Sequence, residues 1–271
     1  MLTHSKTLFV LLVAFATIAV SQLSLTAQTT NPGLTALQSA IETQRQRLSS
    51  SEVEERRDAL MRLRALRHPL ASRAAVSALN DAAPIVRVTA AASVLSLPAE
   101  ESAAVLIPLL GDKEEFVRQH AAYALGHTRS KAAVGPLVER LGDKKDSVRA
   151  AAVVALGEIG DATALTSLTD ILSPSGSAGQ AKKSKAKREK NAFVLRAAAH
   201  SLGEIGNRAA LPALLSVVQD EKAEVDVRRE VVYALGAIGD SSALPALRGL
   251  VASTDPYLAQ AASDAIHKLS K

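Results

Sequence analysis

The chain has no cysteine and no tryptophan, and only 3% of its 271 residues are aromatic although 48% are hydrophobic. Without cysteine there is no disulfide, no cysteine nucleophile and no lipid-bearing cysteine near the N-terminus. Neither Gly-x-Gly-x-x-Gly nor Gly-x-Ser-x-Gly occurs, which removes a dinucleotide fingerprint and a nucleophile elbow. With so few rings, burial must come from Ala, Leu, Val and Ile, a composition suited to helices that approach one another closely, and stability must come from packing alone.

An excess of one charge is missing from most of the chain as well. Formal charge is +5, from 32 Lys and Arg against 27 Asp and Glu. Six basic residues, Lys182, Lys183, Lys185, Lys187, Arg188 and Lys190, stand against Glu189 alone and carry that whole excess. Elsewhere the charges balance, so an electrostatic partner is expected only at this segment.

What is present begins with a targeting pattern. Met1 to Ser5 is polar, Lys6 is positive, and Thr7 to Val20 is an apolar run of 14 residues followed by Ser21 and Gln22. This is the layout of a signal peptide. The run falls short of the roughly 20 apolar residues that span a bilayer. Small residues allow cleavage after Ser21 or after Ala27; taking the second, residues 1–27 are removed, the mature chain keeps no stable membrane span, and a bacterial product is periplasmic or extracellular.

The rest of the chain repeats itself. The pair Val86-Arg87 recurs as Val117-Arg118, Val148-Arg149, Leu195-Arg196 and Val227-Arg228, then as Leu258-Ala259, with steps of 31, 31, 47, 32 and 31. Counting back one period reaches Arg56. A fixed period of this length signals a solenoid of stacked units. With Arg as position zero, the apolar positions −1, +3, +6, +7 and +10 share one helical face. Each first helix then meets a turn, as in Leu156-Gly157-Glu158-Ile159-Gly160-Asp161, and the same pattern ends the runs at Asn207 and Asp240. Glycine suits the left-handed helix end, and Asp or Asn the next N-cap. Second helices are expected over 102–110, 132–141, 209–218 and 243–250, with Pro108, Pro136, Pro212 and Pro245 early in each. Ser51-x-x-Glu54 reads as a capping box opening the first copy. A helix within 28–51 and the single helix after Asp255 serve as end caps, because a repeat buries its apolar face only against its neighbours. The fold class is therefore all-α, an α-solenoid of antiparallel helix pairs.

The in-register pattern Asp-x5-Arg, Ala-Ala, Leu-Gly-x-Ile-Gly-Asp and Leu-Pro-x-Leu resembles HEAT repeats, in particular the short phycobilin-lyase-type HEAT-like class, over about residues 52–271. The resemblance implies a hydrogen-bonded ladder of Asp and Arg joining successive repeats, here Asp81 with Arg87, Asp112 with Arg118 and Asp143 with Arg149. Later copies depart from it: Asp220 lies eight before Arg228, and the last copy has Ala259. The resemblance also brings enzymatic relatives, bilin lyases and deoxyhypusine hydroxylase, an oxidoreductase whose iron is held by His-Glu dipeptides. No His-Glu dipeptide occurs here, and His120, His127, His200 and His267 take different repeat positions. His200 and Glu204, four apart, read as a surface contact.

The expected layout is a signal peptide (1–27), a capping helix (28–51), repeats 1–4 (52–173), a basic flexible insertion (174–191), and repeats 5–6 with a C-terminal cap (192–271). The insertion is low in hydrophobicity and high in charge, which predicts disorder. Its six basic residues are candidates for holding an anionic polymer or surface. HEAT second helices usually line a concave face, and the outward positions there are Glu139, Arg140, Ser167, Asp170, Ser216, Gln219 and Arg248. The function expected is an exported, non-catalytic scaffold for a protein partner, without cofactor or metal; the alternative is an enzyme or accessory of the lyase or hydroxylase kind.

Overall fold

The computed structural model describes residues 32–172 and 189–270. The expected signal peptide and residues 174–188 of the basic segment lie outside the described residues. Fourteen α-helices are described: α1 (Pro32–Arg47), α2 (Val53–Ala65), α3 (Pro69–Ala75), α4 (Pro84–Ser93), α5 (Ala99–Leu106), α6 (Glu115–Thr128), α7 (Val134–Arg140), α8 (Asp146–Ile159), α9 (Leu165–Leu172), α10 (Ala192–Ile205), α11 (Leu211–Gln219), α12 (Val225–Ile238), α13 (Leu244–Leu250) and α14 (Pro256–Leu269), with no strand among the described residues. The chain divides after Thr43, inside α1. The part of α1 up to Thr43 is a helix in its own right, and everything from Gln44 onward is one stack.

In that stack the even-numbered helices are the first helices of the repeats. They pack on one another in chain order from α2 to α14, and each second helix lies against the first helix of the next repeat. Position +7 of the first helices supplies Leu125, Leu156, Leu202 and Leu235, and the second helices supply Leu106, Leu137, Leu168, Leu214 and Leu247, all fully buried. Small residues fill the space between adjacent first helices, Ala155 lying against Gly126 and Ala234 against Gly203, where a longer side chain would hold the backbones apart.

The two glycines of each turn motif do different things. The second, Gly160, Gly206 or Gly239, has φ of +70°, +67° or +77° and ends its helix in the left-handed region. The first lies inside the helix; Gly126 and Gly157 are buried against the next repeat. Repeats 1 and 3 lack the second glycine, and Arg67 and Arg129 adopt φ of +47° and +54° in its place. A side chain in that region is strained. Replacing Arg129, whose side chain makes no ion pair among the described residues, by glycine is expected to stabilise the protein by about 0.5–1 kcal/mol. Chemical denaturation measures this; an unchanged or lower midpoint contradicts it.

Asp161, Asn207 and Asp240 each accept a backbone N–H two residues on and cap a short 3₁₀ turn that leads into the second helix. The expected second helices start there, except in repeat 2. There α5 begins at Ala99 and ends at Leu106, and Pro108 lies in the 3₁₀ turn Ile107–Gly111. Proline lacks the N–H, and its ring obstructs the carbonyl four residues back, so Pro108 ends the α-helix where the sequence reading placed it at a start. The capping box is also displaced. Ser50, not Ser51, accepts from the Glu52 N–H at 3.1 Å and donates to Glu55 at 2.6 Å.

Candidate interaction surface

The recurring arginines and carboxylates form a lateral ladder. Arg56 Nε and Nη2 donate to Asp81 at 2.7 and 2.8 Å, Arg87 does the same to Asp112 at 2.7 and 2.8 Å, and Arg118 to Asp143 at 2.8 and 3.0 Å. Each rung is a two-toothed pair between one repeat and the next, a geometry that adds both strength and direction. The residues six apart within a repeat meet differently. Arg87 Nη1 donates to the Asp81 carbonyl, Arg118 to that of Asp112 and Arg149 to that of Asp143, at 2.8, 2.8 and 3.0 Å. One guanidinium thus ties its own turn and the following repeat together.

The rung after Arg149 crosses the insertion. Arg149 Nε and Nη2 donate to Glu189 at 2.6 and 3.0 Å, and Asn191 caps α10 while donating to Asp146 at 2.6 Å. Residues 189–191 therefore belong to the stack, and the expected boundary of the insertion at Asn191 is three residues too far. Lys190 is exposed at this edge. Glu189, seen in the sequence only as the lone acid of a basic run, is a ladder acid; its signal would have been its place six before Leu195.

That spacing exposes a register correction. In repeat 5 the fully buried residue before position zero is Val194, and Gly203 and Gly206 stand eight and eleven after Leu195, as Gly157 and Gly160 do after Arg149. Position zero is thus Leu195, and Arg196, aligned with the ladder arginines in the sequence, points to the exposed side. A one-residue shift turns a helix by about 100°, enough to move a side chain off the ladder row.

Ladder contacts depress the carboxylates. Hydrogen bonds from Arg56 hold Asp81 below the ordinary range. Burial works to raise Asp112 and Asp143, yet hydrogen bonds from Arg87 and Arg118, with a backbone N–H at each, outweigh it and lower both. Glu189 is lowered in the same way, against burial, by Arg149 and the Asn191 N–H. A carboxyl whose pKa is lower folded than unfolded contributes stability that is complete above its unfolded pKa of about 4 and lost as pH falls through the lower folded value. The melting temperature should be level above about pH 5 and fall below about pH 4. Asp112→Asn should start lower and fall less; an unaltered acid slope would remove the ladder as its cause.

The remaining candidates lie on the second-helix layer or between first helices. Glu139, Asp170, Gln219 and Arg248 are exposed, whereas Arg140, Ser167 and Ser216 are half-buried. Arg140 is engaged internally, donating to the Leu110 carbonyl at 3.2 Å. His200 sits 2.9 Å from Glu230 of the next repeat and 3.7 Å from Glu204, an exposed lateral contact like that of His127 with Glu158 at 3.1 Å. Among the described residues no group of three or more His, Asp or Glu is placed to hold a metal ion, and no helix is long and apolar enough to cross a membrane. A groove of about 280 Å³ opens between repeats 5 and 6 beside Leu195 and Asp220.

Stacked helix pairs joined by an arginine-carboxylate ladder define an α-solenoid repeat protein. The family model for HEAT repeats matches residues 103–179 and 184–267, more than half of the chain, which therefore belongs to the HEAT-repeat family. No curated protein sequence matches it. Among solved structures it is similar to YibA of Escherichia coli, with 18% identity, 86% of this chain and 82% of that one covered, and a TM-score of 0.57. It is also similar to the complex of CpcE and CpcF of phycocyanin lyase from Nostoc sp., at 22% identity, 84% and 94% covered, TM-score 0.50. Human deoxyhypusine hydroxylase aligns at 19% identity over 88% and 98% with a TM-score of 0.42. At such identities the likeness speaks to the fold alone.

Proposed function

We propose that the protein is an exported, non-catalytic HEAT-repeat scaffold that binds a protein partner along its stack. HEAT repeats as a class mediate protein interactions, and the similar CpcE and CpcF form a complex. The observation that carries the reading is the ladder. The repeated charged residues, the natural candidates for acid-base or phosphate chemistry, are bonded in register to each other, and this accounts for their spacing without a substrate. The exposed residues of the second helices, Glu139, Asp170, Gln219 and Arg248, remain as contact surface. The basic run Lys182 to Lys190 supplies a second attachment, to an acidic partner or anionic surface, of the salt-sensitive kind that counterion release produces. Export rests on the N-terminal apolar run.

Expression with the native N-terminus followed by fractionation tests the first half; the mature chain should be exported and begin at Gln28 or Gln22. Capture from the envelope fraction, with and without residues 174–188, tests the second. One protein recovered in stoichiometric amount, with its salt-sensitive component lost on deletion, is expected. A full-length chain retained in the cytoplasm, or stoichiometric iron in the purified protein, overturns the reading.

A further inference from the structure

We propose that the slot between repeats 5 and 6 receives an arginine side chain from the protein partner, completing in trans the ladder rung that Leu195 interrupts. The proposal deepens the scaffold reading and rests on it.

The equivalent groove between repeats 2 and 3, about 350 Å³, is lined by Asp81, Arg87 and Asp112, and there the carboxylate is taken by the Arg87 guanidinium. The acid of each of the three aspartate rungs is set by one turn: its N–H donates three residues back and its carboxylate accepts an N–H two residues on. For Asp112 these bonds go to the Leu109 carbonyl at 3.1 Å and from Glu114 at 2.9 Å; for Asp143, to the Arg140 carbonyl at 3.0 Å and from Lys145 at 3.0 Å. Asp220 makes the same turn, donating to the Val217 carbonyl at 3.2 Å and accepting from Lys222 at 2.9 Å. It is therefore a ladder acid, and its eight-residue distance from Arg228 reflects two extra residues in the loop after it.

The base that should meet Asp220 is position zero of repeat 5, and that residue is Leu195. No cation among the described residues pairs with Asp220. Arg228 turns away and donates Nε to the Val218 carbonyl at 3.1 Å, and Lys222 stands exposed at the rim. Beside Asp220 lies the groove of about 280 Å³, walled by Leu195, Val217 and Val227, with Asp220, Lys190 and Lys222 at its polar edge and Glu189 already held by Arg149. An apolar wall ending in a carboxylate held by backbone N–H suits a side chain with an aliphatic stem and a forked cationic head. Arginine has this form, and arginine pairs with the acid of each of the four complete rungs.

The test uses the full mature chain and a short probe, acetyl-Ala-Arg-Ala-amide, with its citrulline counterpart as the uncharged isostere, read on the methyl resonances of Leu195, Val217 and Val227. The arginine peptide should shift these methyls saturably. The citrulline peptide, and the arginine peptide with Asp220→Asn, should bind about tenfold or more weakly, the loss expected for a charge-assisted hydrogen bond. Leu195→Arg should close the rung in cis, raise the melting temperature and abolish binding. Equal shifts with citrulline, or no saturable shift, overturn the proposal. Binding only after removal of residues 174–188 also overturns it, because the chain's own basic segment is then the occupant. Stoichiometric partner capture that survives both Asp220→Asn and Leu195→Arg discards the slot and leaves the scaffold reading standing.

Discussion

Gly126→Ala is expected to destabilise the protein by about 3 kcal/mol, at the upper end for overpacking a core. A Cβ at Gly126 would lie 2.8 Å from the Ala155 Cα and 2.5 Å from the Glu158 carboxylate. The carboxylate can rotate away; the backbone of α8 cannot move without separating from α6. Gly203→Ala meets the Ala234 Cα at 3.0 Å and should cost less. Gly135→Ala is the control of opposite sign, because nothing lies within 4 Å of its added methyl. There the entropic gain over glycine in a helix should stabilise by about 0.5–1 kcal/mol. Thermal unfolding followed by far-ultraviolet circular dichroism measures all three, with Gly126→Ala lower by roughly 6–12 °C. Since each repeat is held only by its neighbours, weakening the joint between repeats 3 and 4 should also broaden the transition. A Gly126→Ala midpoint equal to that of the unaltered protein would mean that these helices are not in such close contact.

Asp112→Ala strands the Arg87 guanidinium, whose side chain is 8% exposed, and should cost about 3 kcal/mol. Replacing both partners with apolar residues of similar size, Arg87→Met with Asp112→Leu, should recover most of the loss, because neither charge then remains buried. The Arg73–Glu101 pair has the same two-toothed form at 2.9 and 2.9 Å, but its side chains are 51% and 36% exposed. Glu101→Ala should therefore cost no more than about 1 kcal/mol. Chemical denaturation of the three variants beside the unaltered protein measures these differences. A double variant as unstable as Asp112→Ala would show that the Arg87 stem, rather than the ion pair, carries the stability.

Much of this protein was legible in one dimension because a solenoid is built from local rules. The period of 31, the buried face repeating at positions −1, +3, +6 and +7, and the caps at Asp161, Asn207 and Asp240 each involve residues within one turn or one hairpin of each other. Helix and turn chemistry act over that range, so the all-α class and the hairpin order follow without knowledge of neighbours.

The tertiary structure decided what depends on which repeat faces which. The HEAT resemblance implies Asp81 and Arg87 as partners, yet the side chain of Arg87 reaches Asp112, 25 residues on, and meets Asp81 only through its carbonyl. Arg196 fits the sequence pattern, but burial of Val194 puts Leu195 on the ladder row and leaves Asp220 without a ladder arginine. Of the two glycines in each motif, only the packed helices distinguish the one that ends a helix from the one that admits the next. Sequence by itself determined the repeating unit, since hydrogen bonding and helical periodicity are short-ranged. Which rungs close and which acid is left without its arginine required the stack, because these depend on contacts of a few ångströms between residues separated by a full repeat.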